Sequence, residues 1–187
     1  MDVTDAIHNR RAFRSLAPVS ITQELLNDFA TCAQLSASCF NNQPWRFIFV
    51  YDPEKLGAMK EALSSGNEWA HDASLIIVVL SKKDYDCVIH DRVYYQFDTG
   101  MATAHIILRA TELGLIAHPI AGYSPRKTRA ILNIPDDLEV LTLVIVGKHA
   151  STVNPNLSEK QKQAESHRPA RHPVEEFVFH NSYQADE

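Results

Sequence analysis

The sequence predicts an α+β protein, read as one domain over residues 1–187. Three observations carry that reading. The chain has 187 residues, 45% of them hydrophobic and 22% charged, which suffices for one buried core and is ordinary for a globular protein. Nearly unbroken apolar runs stand at 74–80 and 138–146, as strands covered on both faces require. Around these runs lie segments of helical period with recognisable starts and stops.

Taken in order, a short amphipathic helix is expected to end near Asn9 and Arg10. A second helix opens on a capping box, with Ser20 as N-cap and Gln23 three residues on. It carries Leu25, Leu26, Phe29 and Ala30 and runs to about Leu35. A loop of small polar residues, Ser36 to Pro44, leads into a strand from Phe47 to Tyr51. Asp52, Pro53 and Glu54 start a helix to about Leu63, with proline at its favoured first position. Ser74 to Leu80 is the first doubly covered strand.

Tyr95 to Leu113 is helical and is stopped by Gly114. Met101, Ala102, Ala104, Ile106 and Ile107 make it apolar on more than one side, as at a domain centre or a subunit interface. Leu115 to Ile120 is a short strand, Ser124 and Pro125 open a helix ending near Asn133, and Leu138 to Val146 is the last core strand. Residues 150–168 read as a polar linker, and 169–180 as a C-terminal arm in which Pro173 to Phe179 regains an apolar alternation. A strand there cannot bury its face alone and must cross onto the body or onto a partner's sheet. Residues after His180 are expected to fray.

Several classes are disfavoured. A net charge of −5 offers no basic excess for nucleic acid. No apolar run approaches the ~20 residues that span a bilayer. Met1 to Asp5 has neither the basic nor the apolar region of a secretory signal. Cys32, Cys39 and Cys87 lack Cys-x-x-Cys spacing and are expected as buried small hydrophobes in a reducing compartment, the cytoplasm. His8, His71, His90, His105, His118 and His149 show no His-x-x-x-His spacing, so no metal site is expected.

Four segments can carry chemistry. Arg10, Arg11 and Arg14 with Ala12 and Phe13 form a basic cluster suited to phosphate oxygens, or else a solvated helix end. Ser36 to Trp45 offers hydroxyls and amides of both hydrogen-bonding senses, suited to a polar heteroaromatic edge or a ribityl chain, or else packs as a plain loop around Trp45. Pro119, Ile120, Ala121 and Gly122 end a strand where backbone N–H groups can approach a ring; a simple turn is the other reading. Arg168 and Arg171, with Pro169, His172 and Pro173, form a second basic cluster that could meet the first on one phosphate or stay exposed.

Taken together, Arg10 to Arg14, Asn41 to Trp45, Pro119 to Gly122 and Arg171 to Pro173, with Asp98, Thr99 and Gly100 at the start of the long helix, resemble the nitroreductase family of FMN-dependent oxidoreductases. The resemblance spans about residues 2 to 178. It implies a three-layer fold with a mostly antiparallel central sheet flanked by helices. It also implies an intertwined homodimer with FMN at the subunit interface and C-terminal arms that cross to the partner. By position, Arg10 and Arg171 would hold the FMN phosphate, with Arg168 beside them, and Arg11 and Ala12 would give backbone contacts. Arg14 would stabilise negative charge on the reduced flavin. Ala37 and Ser38, with Asn41 and Gln43, would come from the partner's loop, and Asn67 would face the pyrimidine edge. Pro119, Ala121 and Gly122 would line the ring, the last two through backbone N–H.

The implied activity takes electrons from NADH or NADPH and passes them to a small planar acceptor, a nitroaromatic or a quinone. Two alternatives stay open: specialised flavin chemistry (dehalogenation, dehydrogenation or flavin fragmentation), and a non-catalytic flavin-binding module. The chain departs from many relatives in having Ala12 in place of serine, and Ala121 in place of glycine or an acidic residue.

Overall fold

The computed structural model describes residues 1–183. In chain order it contains α1 (Val3–Asn9), β1 (Leu16–Ala17), α2 (Gln23–Gln34), β2 (Arg46–Val50), α3 (Pro53–Met59), β3 (Leu75–Ser81), β4 (Val88–Ile89) and β5 (Arg92–Val93). There follow α4 (Tyr95–Glu112), β6 (Leu115–Ile120), α5 (Pro125–Leu132), β7 (Glu139–His149) and α6 (Glu159–Ser166).

Every sheet pairing is antiparallel. The longest strand, β7, is the axis of the main sheet. It takes β3 and then β1 along one edge and β6 along the other, so that Lys148 stands opposite both Ala17 and Leu115. β2 closes the far side of β3.

Side-chain alternation splits the core in two. Ile76, Val78 and Leu80 of β3 and Leu143 and Ile145 of β7 pack on one face with Met59, Ala62 and Trp69. Leu75, Ile77, Val79, Val144 and Val146 pack on the other with Phe29 and Ala33 of α2 and Ala102, Ile106 and Ala110 of α4. Apolar residues are needed at every position of such strands because both faces are covered. The result is three layers, α2 and α4 against one face and α3 and α5 against the other. α4 buries only one side; Phe97 on the other is 65% exposed.

Local chemistry sets the boundaries. Asp52 caps α3 and Ser124 caps α5, each with proline in the first turn. Asn133 ends α5 in the left-handed region, and Gly114 follows α4 at φ +72.

Four readings of the sequence are corrected. The N-cap of α2 is Thr22, whose side chain accepts from Leu25 N; Ser20 lies before the helix. The 150–168 segment is no featureless linker, because its second half is α6, opened by a Ser158–Gln161 capping box. Its first half is anchored too: Asn154 N donates to Ser15 Oγ, and Leu157 is buried in the core. The Pro173–Phe179 stretch is no strand; it turns through a 3-10 segment at Val174–Glu176 and leaves Val174 and Phe177 exposed. Cys39 and Cys87 are not free small hydrophobes but are disulfide-bonded, with Cα atoms 6.1 Å apart; only Cys32 is a free thiol. That pairing removes the cysteine argument for a reducing compartment. Fraying of the chain end beyond Tyr183 lies outside the described residues.

Candidate functional site

Two backbone stretches with no regular structure of their own, 10–15 and 167–173, carry most of the basic residues singled out from the sequence. α6 holds them together. Its buried Glu165 accepts from Arg14 N at 2.7 Å and Ser15 N at 3.2 Å. The carbonyls of Ala164 and Glu165, left over at the end of the helix, accept from the Arg11 guanidinium. Gln161 reaches the other way, donating through Nε2 to Gly66 O at 2.9 Å. Arg168 donates to the carbonyls of His8 and Arg10, where α1 ends.

These contacts enclose a cavity of about 300 Å³ lined by Arg10, Arg11, Ala12, Arg14, Arg168 and Arg171 together with Lys160 and Gln161. Burial pushes the Arg10 guanidinium below its ordinary value, and Arg168, Arg171 and Arg11 push it further the same way. Arg14 is lowered by burial and partly restored by Glu165. Like charges crowded around one half-buried space favour an anion with several acceptor oxygens, which a phosphate supplies. Among the described residues the side chains of Arg10, Arg14 and Arg171 meet no acceptor of their own.

A second set of contacts runs on from Arg14. Its guanidinium stands 5.9 Å from the Trp69 ring centroid, and Trp69 stacks on His118 at 4.7 Å. His118 Nδ1 donates to Phe13 O at 3.1 Å, and burial lowers this imidazole to about 4, with Arg14 and Arg10 acting in the same direction. Trp69 Nε1 donates to Asn67 Oδ1, and Asn67 Nδ2 donates to Gly122 O at 2.9 Å. A Cβ at Gly122 would stand 2.2 Å from Asn67 Nδ2, so a side chain there would have to displace that amide. Arg14, Asn67 and Gly122, distant in sequence, thus share one contact network, and Ala121 precedes Gly122 at the end of β6.

The remaining sequence-selected residues lie elsewhere. Pro119 faces the α4 layer, where it borders a different hollow with Thr99, Gly100 and Thr142; alternation along β6 puts its neighbour His118 on the opposite face. Ala37, Ser38, Asn41 and Gln43 belong to the loop between α2 and β2. That loop is fastened to the start of α4 and to the β3–β4 connection. Cys39 N donates to Asp98 Oδ2 at 2.6 Å, Gln43 N to Ser38 Oγ, and Asn42 Nδ2 to Asp86 Oδ1. Burial, then Asp86, raises the Asp98 carboxyl. Phe40, Asn41 and Gln43 all have positive φ, a strained arrangement for non-glycine residues that needs such fastening to persist. None of the four lines the arginine cavity.

The sequence profile of the nitroreductase family matches residues 7–68 and 63–148. The chain belongs to the nitroreductase family. Relatives agree with the match. A protein of Archaeoglobus fulgidus assigned as an NADH dehydrogenase/NAD(P)H nitroreductase is 33% identical over 150 residues, covering 75% of this chain and 82% of that protein. An iodotyrosine deiodinase of Haliscomenobacter hydrossis is 26% identical over 186 residues and 83% of each chain. Among solved structures, an oxidoreductase containing FMN superposes with a TM-score of 0.80 at 26% identity, covering all of this chain and 94% of that one. A nitroreductase family protein from Clostridium difficile gives 0.79 at 23%, covering 98% and 100%. No helix among the described residues is long and apolar enough to cross a membrane.

Glu165, Lys160 and Gln161 escaped the sequence reading. Their segment carries no apolar stripe, but the Ser158–Gln161 spacing was a usable helix-start signal.

Proposed function

We propose that this nitroreductase-family protein is an FMN-dependent oxidoreductase that draws electrons from NADH or NADPH and delivers them to a small planar acceptor such as a nitroaromatic or quinone. The observation that carries the proposal is the convergence of Arg10, Arg14 and Arg171 on one cavity, which Arg14 links through Trp69 to the Asn67–Gly122 contact. The donor set fits the cofactor: guanidinium groups for a phosphate at one end, and at the other the Asn67 amide, held against Gly122, with the main chain at the end of β6 for a polar ring edge. When bound, FMN supplies the ability to accept and return two electrons.

Arg10 and Arg171 bind the phosphate, with Arg168 steadying the Arg10 backbone. Arg11 and Ala12 contribute through the main chain. Arg14 would supply the cation beside the ring, where a fixed positive charge would favour a flavin's reduced form. Asn67 orients the ring edge, and Ala121 and Gly122 offer backbone N–H groups to it. Pro119, Ala37, Ser38, Asn41 and Gln43 join the site across a homodimer interface. The exposed Phe40, Phe97 and Phe177 support that assembly, since a lone chain leaves them in water. The C-terminal arm crosses to the partner, where its apolar residues find cover.

The similarity to an iodotyrosine deiodinase favours reductive dehalogenation as the second reading. The test is the visible spectrum of the purified protein under anaerobic NADH or NADPH. A flavin band that bleaches and returns with air supports the oxidoreductase reading, and a panel of nitro, quinone and halogenated acceptors then ranks the chemistries. A colourless protein that takes up no added FMN refutes it.

A further inference from the structure

Not every cation lining the arginine cavity is available to a ligand. Arg11 donates to Ala164 O and Glu165 O, and Arg168 to His8 O and Arg10 O, so both are engaged with main-chain carbonyls. Arg14 stands over Trp69, toward Asn67 and Gly122. The cations left for an anion in the cavity are Arg10, Arg171 and Lys160, the last from α6.

Lys160 is in an unusual place for a lysine. It is in the first turn of its helix, where the exposed N–H groups and the helix dipole disfavour a cation. The one acidic residue of that turn, Glu159, is paired with Lys162 at 2.8 Å, so its carboxylate is engaged elsewhere. The helix itself is fixed on three sides: its capping box, the Gln161 bond to Gly66 O, and Glu165 beneath Arg14 and Ser15. Among the described residues no acidic group pairs with Lys160, so a fastened helix presents its ammonium at the rim of a space that already gathers guanidinium groups.

We propose that Lys160 is a direct ligand of the flavin's terminal phosphate, so that α6 helps set the preference for FMN over riboflavin. The inference rests on the flavin reading above and adds to it a residue from outside the two arginine clusters. Removing one charge-assisted contact from a partly exposed side chain weakens FMN binding about tenfold, equal to about 1.4 kcal/mol.

The experiment titrates FMN and riboflavin into the cofactor-stripped full-length protein, following flavin fluorescence. Lys160→Ala should raise the Kd for FMN about tenfold and leave riboflavin within about twofold, and Lys160→Arg should recover most of the loss. Added salt should narrow the difference between wild type and Lys160→Ala. An unchanged FMN Kd, or equal weakening of both flavins, overturns the assignment. Arg10→Ala separates the two levels of the argument. If it lowers the FMN preference while Lys160→Ala does not, only the lysine assignment falls. If the wild-type protein itself does not prefer FMN over riboflavin, the phosphate reading of the cavity falls with it.

Discussion

Replacing both bridged cysteines, Cys39→Ser with Cys87→Ser, releases a loop whose ends are 48 residues apart. Loop-closure entropy for that separation gives a stabilisation of about 4 kcal/mol from the crosslink, almost all of it acting on the unfolded chain. The folded side adds little relief, because Asp98 still receives Cys39 N and Ser38 still receives Gln43 N. With a urea slope of about 2–3 kcal/mol/M for a chain of this size, the unfolding midpoint should fall by roughly 1.3–2 M. Equilibrium unfolding is followed by tryptophan fluorescence at one fixed protein concentration, with and without a dithiol reductant. Wild type in reductant should coincide with the double variant, and the double variant should ignore reductant altogether. A wild-type midpoint that reductant does not move would refute the crosslink. An equal shift in the double variant would place the effect somewhere other than Cys39 and Cys87.

Three further outcomes are expected. Glu165→Ala strips Arg14 N and the buried Ser15 N of their acceptor and should cost about 2–4 kcal/mol, with Glu165→Gln losing about half as much; denaturant unfolding of the cofactor-free protein measures both. His118 is held at about 4, below its ordinary 6.5, so the unfolded chain binds its proton first as pH falls. Its contribution is complete above about 6.5 and is lost between there and about 4, a decline of about 3 kcal/mol that His118→Phe should abolish in a pH series of unfolding curves. Gly122→Ala pushes the Asn67 side chain off Gly122 O and should lose about 1 kcal/mol of stability in denaturant unfolding; an added Asn67→Gly removes the atom that the new Cβ meets, so the two changes should cost less together than the sum of each alone, and strict additivity would mean the clash lies elsewhere.

What the sequence revealed and what it hid have physical reasons. Strands 75–81 and 139–149 were legible because residues pressed between two layers must be apolar at almost every position. Pro125 after Ser124 and Pro53 after Asp52 were legible because proline and a capping side chain leave few local alternatives. Thr22 was missed because Ser20 offers the same hydroxyl two residues earlier, and only the packing of Leu26 and Phe29 selects between them. α6 was hidden because it is held by polar contacts to Arg11, Arg14 and Gly66 instead of an apolar stripe. The Cys39–Cys87 pair joins two loops that no local spacing connects. Of the site, the arginines were legible as charge, and Gly122 with Asn67 through the resemblance. Glu165, which arranges the arginines, is an unremarkable acidic residue until the chain is folded.

The bond between Arg14 and Glu165 closes over 151 residues of sequence. At about 5–20 residues per second, a ribosome takes roughly 10–30 s to travel that distance. Throughout that interval the nascent chain displays its N-terminal arginines without the helix that arranges them. On the flavin reading proposed above, capture of the cofactor waits on α6, and a chain interrupted before Glu159 would carry the sheet and both doubly covered strands without the helix that arranges the arginines.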